Sequence, residues 1–175
     1  MIHLYTGNGK GKTTAAIGLC IRAAGWDQQV CFAQFMKGND TGELHLLKSL
    51  PGVTILRSEK NFGFYSSMSE SDKEELTKIH NCILDRILEL VESGNCQLII
   101  MDEITYPVHW GLLDMEKLKR LLAFGKQGAD KETELVLTGR NAQDFLSDMA
   151  DYVTEMECVS HPYKKGIGAR KGIEF

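Results

Sequence analysis

The residues best equipped for chemistry lie near the amino end, where Thr6-Gly7-Asn8-Gly9-Lys10-Gly11-Lys12-Thr13-Thr14 separates a short apolar run from an alanine-rich one. Glycines at alternate positions let a backbone curl until several N–H groups point inward, and a helix starting at the lysine adds its positive end beneath a bound anion. Lys12 supplies a point charge, and in the usual form of this loop the hydroxyl after the lysine, here Thr13, ligates the magnesium that accompanies the phosphates. Thr6 departs from that form, which opens with glycine six residues before the lysine; Gly7, Gly9 and Gly11 supply the flexibility instead. A cradle for a nucleoside triphosphate is the chemistry this spacing implies.

A second feature points the same way. Gln97-Leu-Ile-Ile-Met101 is a short apolar run of buried-strand type and ends directly in Asp102-Glu103. In nucleotide-binding sheets an aspartate there holds the magnesium, usually through water, and an adjacent glutamate often polarises an attacking group. A carboxylate pair at a solvated strand end is the plainer alternative.

The elements that must position these groups follow from periodicity. Strand-like runs at 2–5, 30–35, 53–56, 97–101, 133–138 and 152–158 alternate with helical ones, the pattern of a mostly parallel sheet of about six strands with helices on both faces. The helices are expected at 13–24, closed by Gly25, at 43–50 before Pro51, at 115–124 and at 142–150. The longest opens with Ser71 and Glu74 spaced as a capping box, carries Leu76, Ile79, Ile83, Ile87 and Leu90 on one face, and stops at Gly94.

A length of 175 residues with 43% hydrophobic content suits one domain, 1–175, with its own core. The net charge of −4 argues against nonspecific affinity for nucleic acid. Five cysteines, odd in number and without a Cys-x-x-Cys pair, read as reduced core residues of a cytoplasmic protein. No run is long and apolar enough to span a membrane, and Met1 leads into a strand without a basic and apolar leader, so a soluble, unexported protein is expected.

Two stretches fall outside the alternation. In 57–70, the rings of Asn61-Phe62-Gly63-Phe64-Tyr65 would either plug the core or cover a planar ligand. The tail from His161 carries Lys164, Lys165, Arg170 and Lys171, and reads as a solvated end or as a strap over an anionic ligand.

Taken together, Gly7-Asn-Gly-Lys-Gly-Lys-Thr-Thr-Ala-Ala16, Gln34-Phe-Met-Lys-Gly38, Phe62-Gly-Phe64, Met101-Asp-Glu-Ile-Thr-Tyr106, Leu137-Thr-Gly-Arg140, Asp151-Tyr-Val-Thr-Glu155 and Lys171-Gly-Ile-Glu174 resemble, in order and over nearly the whole chain, the P-loop ATP:corrinoid adenosyltransferases. The resemblance implies a RecA-like P-loop fold, with the strand ending at Thr138 beside the first strand. It also implies a reaction in which the cobalt(I) of a reduced corrinoid, cobalamin or cobyrinic acid a,c-diamide, attacks the 5′ carbon of ATP and expels inorganic triphosphate. On that reading residues 6–14 hold the nucleotide, and Thr13, Asp102 and Glu103 hold magnesium or manganese. Lys12, Phe64 and Glu103 carry the chemistry, Phe64 by packing against the corrinoid's lower face. An electron donor such as a flavoprotein, and a homodimer, are the expected partners.

Members of the family commonly read Gly-Phe-Thr-Trp where this chain has Gly63-Phe-Tyr-Ser66, which leaves Tyr65 as the candidate substitute for the tryptophan. The chain also begins at its first strand, without the N-terminal extension by which some members cover the partner's site, so a different closure is expected. Two other classes stay open on the residues alone. One is a P-loop ATPase or kinase with Glu103 as general base and Arg140 sensing the terminal phosphate; the other is a nucleotide-dependent binding module.

Overall fold

In the computed structural model, which describes residues 1–126 and 133–174, six strands form an all-parallel sheet. They are β1 (Ile2–Thr6), β2 (Val30–Gln34), β3 (Val53–Arg57), β4 (Leu98–Asp102), β5 (Glu134–Thr138) and β6 (Tyr152–Glu155), in the spatial order β3-β2-β4-β5-β1-β6. β2 and β4 are buried at every position, as expected of strands covered on both faces, which need apolar side chains in both directions. The strand ending at Thr138 does lie beside β1, with Tyr5 opposite Thr138.

The helices are α1 (Lys12–Ala24), α2 (Gly42–Leu47), α3 (Glu70–Glu92), α4 (Thr105–His109), α5 (Met115–Gly125) and α6 (Asp144–Met149). Alternate strand residues sort the core into two layers. Leu4, Ala33, Met101 and Leu137 pack with Leu84 and Ile87 of α3, Leu121 of α5 and Leu146 of α6. On the opposite face Phe32, Ile100 and Val136 meet Ala16 and Cys20 of α1. α1 starts after the five residues that follow the carboxyl end of β1 and packs its small side chains on the sheet, so its amino end lies at the carboxyl ends of these parallel strands. Far-apart strand tails are therefore gathered at one edge, where ligands of open α/β sheets bind.

Several expectations change at element ends. The capping box of α3 is built by Ser69 and Asp72, not Ser71 and Glu74: the Ser69 hydroxyl accepts from the Asp72 N–H at 3.1 Å and the Asp72 carboxylate accepts from the Ser69 N–H at 3.2 Å. Asp72 reaches back as well as a glutamate would, so the helix starts earlier and Ser71 falls within its first turn. β6 stops at Glu155, because beyond it the backbone turns to meet the glycine loop instead of continuing the ladder. α4, a single turn after Glu103, was not foreseen; it is too short for a periodic signal. Cys20, Cys31 and Cys96 are buried and free, whereas Cys82 and Cys158 are exposed, which corrects the expectation of a wholly core role.

Candidate functional site

The loop leaving β1 folds tightly against the backbone that follows β6. The Gly9 N–H donates to the Met156 carbonyl at 2.6 Å, and Gly7 takes φ 93°. A Cβ at Gly7 would sit 2.5 Å from the Met156 oxygen, so both the left-handed backbone and the close approach require glycine there. Thr6 closes β1 by accepting from the Met156 N–H at 2.9 Å. It is an ordinary strand residue, which explains why the loop tolerates a threonine at its opening.

Gly11 caps α1 without any side-chain hydrogen bond, and the first turn of the helix contains no acidic residue. Its amino end is thus electrostatically positive and uncapped by side chains, the condition for receiving an anion. Lys12 is buried under the loop and its ammonium donates to the carbonyls of Gly7 and Gly9, both at 2.7 Å. Burial, then the Arg140 guanidinium, lower the Lys12 pKa; Glu103 and Asp102 pull the other way. Of the remaining loop residues, Asn8, Lys10 and Thr14 are exposed. Lys10 points to the tail: it donates to the Ile173 carbonyl at 2.9 Å and pairs with Glu174 at 3.2 Å, while Arg170 holds the same carboxylate. The tail from His161 is exposed along its described length, and Lys10 is the loop residue that tethers its last segment to the glycine loop, a contact compatible with either reading of the tail.

Asp102 ends β4 with no solvent exposure. Its Oδ1 accepts from the Thr13 hydroxyl at 2.8 Å and the Thr138 hydroxyl at 2.7 Å, and its Oδ2 pairs with the Lys37 ammonium at 2.7 Å. Burial by itself lowers the Lys37 pKa, but the charge and hydrogen bond of Asp102, with smaller help from Glu103 and Glu43, outweigh it, and the net direction is upward. Glu103 follows with φ 62°, an uncommon conformation for a side-chain-bearing residue, held by its N–H donating to Thr138 at 3.0 Å. Burial, and then the Asp102 charge, push its carboxyl pKa up, against Lys37, Lys12 and Arg140.

These donors fit magnesium. No group of three or more His, Cys, Asp and Glu that would cage a metal occurs among the described residues. Magnesium asks for less: it binds through one or two carboxylates and a hydroxyl and fills its shell with water and substrate phosphates. Asp102, Glu103 and Thr13 are such a set of hard oxygens, and a cation, the Lys37 ammonium, already sits on Asp102. Gln34, in register beside Asp102, is buried with neither end of its amide partnered among the described residues, as expected where a ligand or its water completes the shell.

The aromatic loop divides its rings. Phe62 and Tyr65 pack inward with Met68, Leu76 and Leu112, whereas Phe64 is 85% exposed. Tyr65 opens a 3-10 turn (Tyr65–Ser67) and stacks on Trp110 with centroids 4.1 Å apart and planes within 3°; Trp110 in turn stacks on Tyr106 at 5.2 Å. Tyr106 lies on α4, one turn beyond the Asp102-Glu103 pair, so the stack ties the loop holding Phe64 to the carboxylates.

A family model described as ATP:corrinoid adenosyltransferase BtuR/CobO/CobP matches residues 1–175. The chain belongs to this family of transferases. A corrinoid adenosyltransferase from Sinorhizobium sp. is 32% identical over 176 residues, spanning 100% of this chain and 80% of the relative. The corrinoid adenosyltransferase of Escherichia coli K12 is 30% identical and the corrinoid adenosyltransferase CobA of Salmonella typhimurium 31%, each over 100% of this chain and 85% of the relative.

In this family member Lys12, Thr13, Asp102 and Glu103 meet at the carboxyl ends of the strands, while Phe64 stands exposed on the loop whose Tyr65 is stacked on Trp110. Sequence reasoning missed Lys37, Thr138 and Trp110. For Lys37 the signal was a charge three residues past the buried strand that ends in Gln34; for Trp110, a tryptophan four residues after a tyrosine, the spacing at which helical side chains meet.

Proposed function

We propose that this adenosyltransferase moves the 5′-deoxyadenosyl group of ATP onto the cobalt(I) of a reduced corrinoid, cobalamin or cobyrinic acid a,c-diamide. The cobalt's electron pair forms the bond to C5′, the C5′–O bond breaks, and its electrons leave with inorganic triphosphate. Cobalt, as the nucleophile, is oxidised by two electrons and the ribose carbon reduced, so no side chain need be deprotonated to attack.

What carries this reading is the continuity of two dissimilar half-sites. An uncapped helix end with Lys12 suits a polyanion, and the Tyr106–Trp110–Tyr65 stack joins it to a loop that keeps one phenylalanine in solvent. In this proposal the loop 6–14 grips the triphosphate, and Lys12 meets the charge that grows on the leaving oxygen. Magnesium or manganese, held by Thr13, Asp102 and Glu103, would supply further neutralisation of that leaving group. Phe64 packs on the corrinoid's lower face, and Tyr65, pinned by Trp110, serves to aim it.

An electron donor such as a flavoprotein, a homodimer and a cytoplasmic location belong to the same proposal; no helix among the described residues is long and apolar enough to cross a membrane. Incubation with ATP and a chemically reduced corrinoid is expected to give triphosphate and adenosylated corrinoid in equal amounts. ADP and phosphate would instead place the attack on phosphorus and overturn the reading.

A further inference from the structure

Asp102 has one oxygen saturated and one contested. Two hydroxyls, from Thr13 and Thr138, already donate to Oδ1, so an incoming cation has Oδ2 to bind, and that is the oxygen Lys37 holds at 2.7 Å. The asymmetry of exposure shows how this contact can open: Asp102 is fully buried, while the Lys37 side chain retains 28% of its exposure and approaches from the solvent side. Its backbone is fixed. The Phe35 N–H donates to the Asp102 carbonyl at 2.9 Å, and the Met36 N–H donates to Nε2 of buried His80 at 3.3 Å with Met36 at φ 59°. The flexible four-carbon arm can therefore swing from an anchored base.

We propose that Lys37 is a built-in cation that occupies the metal seat on Asp102 in the nucleotide-free protein and is expelled onto the triphosphate when the divalent cation and nucleotide enter. The inference rests on the reading that this sheet edge binds a metal–nucleoside triphosphate; it does not depend on the corrinoid step. Charge balance favours the exchange. The Lys37 ammonium sits on Asp102, and the charges of Lys37, Lys12 and Arg140 all act on the neighbouring Glu103 carboxylate. Adding a divalent cation beside a retained ammonium would stack like charges on one carboxylate, whereas an ammonium turned outward meets the polyanion. Seated in this way, Lys37 neutralises the buried carboxylate while the site is empty and discourages capture of metal without nucleotide.

The test uses Mn2+ alone, measured by electron paramagnetic resonance with the nucleotide-free protein, and ATP binding measured separately in EDTA. An ammonium held 2.7 Å from Oδ2 both occupies that oxygen and repels a second cation, so its removal is expected to raise affinity for another cation by about tenfold or more. Lys37→Met should therefore bind Mn2+ at least about tenfold more tightly than the wild type and bind metal-free ATP about tenfold more weakly. Lys37→Arg, which keeps the charge, should leave the Mn2+ affinity near the wild-type value and serves as the reference should Lys37→Met fail to fold; Lys37→Gln then replaces it. Unchanged or weaker Mn2+ binding in the neutral variant, or undetectable binding by both proteins, would overturn the proposal. Formation of ADP in the turnover assay would refute the adenosyl-transfer reading and leave this one standing.

Discussion

Lys12 and Phe64 have opposite surroundings, and their replacement should have separable consequences. Lys12 is buried and bonded to two carbonyls of its own loop, so the nucleotide must draw its ammonium away from Gly7 and Gly9. Lys12→Ala is expected to lower kcat/KM for ATP by about 10²-fold or more, the usual cost of losing a charged group aimed at developing negative charge. Phe64 touches little in the free protein. Phe64→Ala should alter folding stability by no more than about 0.5 kcal/mol and leave ATP affinity unchanged while slowing adenosylation. Isothermal calorimetry with ATP and a spectral assay of the corrinoid, run on both variants, check the pair together; full activity in both would remove these residues from the site.

At the scale of elements, the site depends on how α4 is docked on the strand ends. Thr105, buried in the first turn of α4, donates its hydroxyl to the Arg140 carbonyl at 2.8 Å, which ties α4 to the segment after β5. Gly139 makes room for that hydroxyl: a Cβ there would overlap Thr105 Oγ1, and its φ of 143° lies where side-chain-bearing residues are strained. Gly139→Ala is expected to cost about 2 kcal/mol or more in urea unfolding. Because α4 also carries Tyr106 and leads into Trp110, the same substitution should disturb Phe64 through the stack, although the two positions are far apart in sequence. Tyr65–Trp110 stacking contributes about 1 kcal/mol beyond the area it buries, enough to hold a short 3-10 turn that has few other anchors.

For the whole molecule the sharpest consequence concerns pH. His80 of α3 is buried against Phe35, its Nε2 accepts from Met36, and its Nδ1 has no partner among the described residues. Burial lowers its pKa to about 4 from an ordinary value of 6.5. In the unfolded chain the imidazole takes up a proton near pH 6.5, whereas in the native protein it stays neutral until about pH 4. The unfolded state therefore binds more protons between those limits, and stability rises with pH across that window. Its contribution is complete above about pH 6.5 and fades as pH falls toward 4, amounting to about 3 kcal/mol in all. His80→Gln should flatten this part of the profile, measured as unfolding free energy against pH in urea. A variant with the wild-type slope would assign the acid sensitivity to other groups.

How much of this was legible beforehand follows from the range of the forces involved. The glycine turn, the buried strand before Asp102-Glu103 and the apolar face of α3 were readable because periodicity, backbone freedom and capping act over a few residues. Even there, the α3 cap fell to Ser69 and Asp72, since two overlapping serine–acid spacings compete and only the entry path of the chain selects one. The meeting of strand ends belonged to tertiary structure. Lys37 and Thr138 stand 65 and 36 residues from the Asp102 they bind, and no local rule couples positions so remote. The rings of the loop show the same division: composition placed Phe62, Phe64 and Tyr65 together, but which two turn inward was decided by Trp110 and the Met68–Leu76–Leu112 cluster awaiting them. Sequence thus determined the elements and most of the chemical groups. Packing of α1 and α4 over the sheet decided which groups face one another, because side-chain contact depends on distance in space and not along the chain.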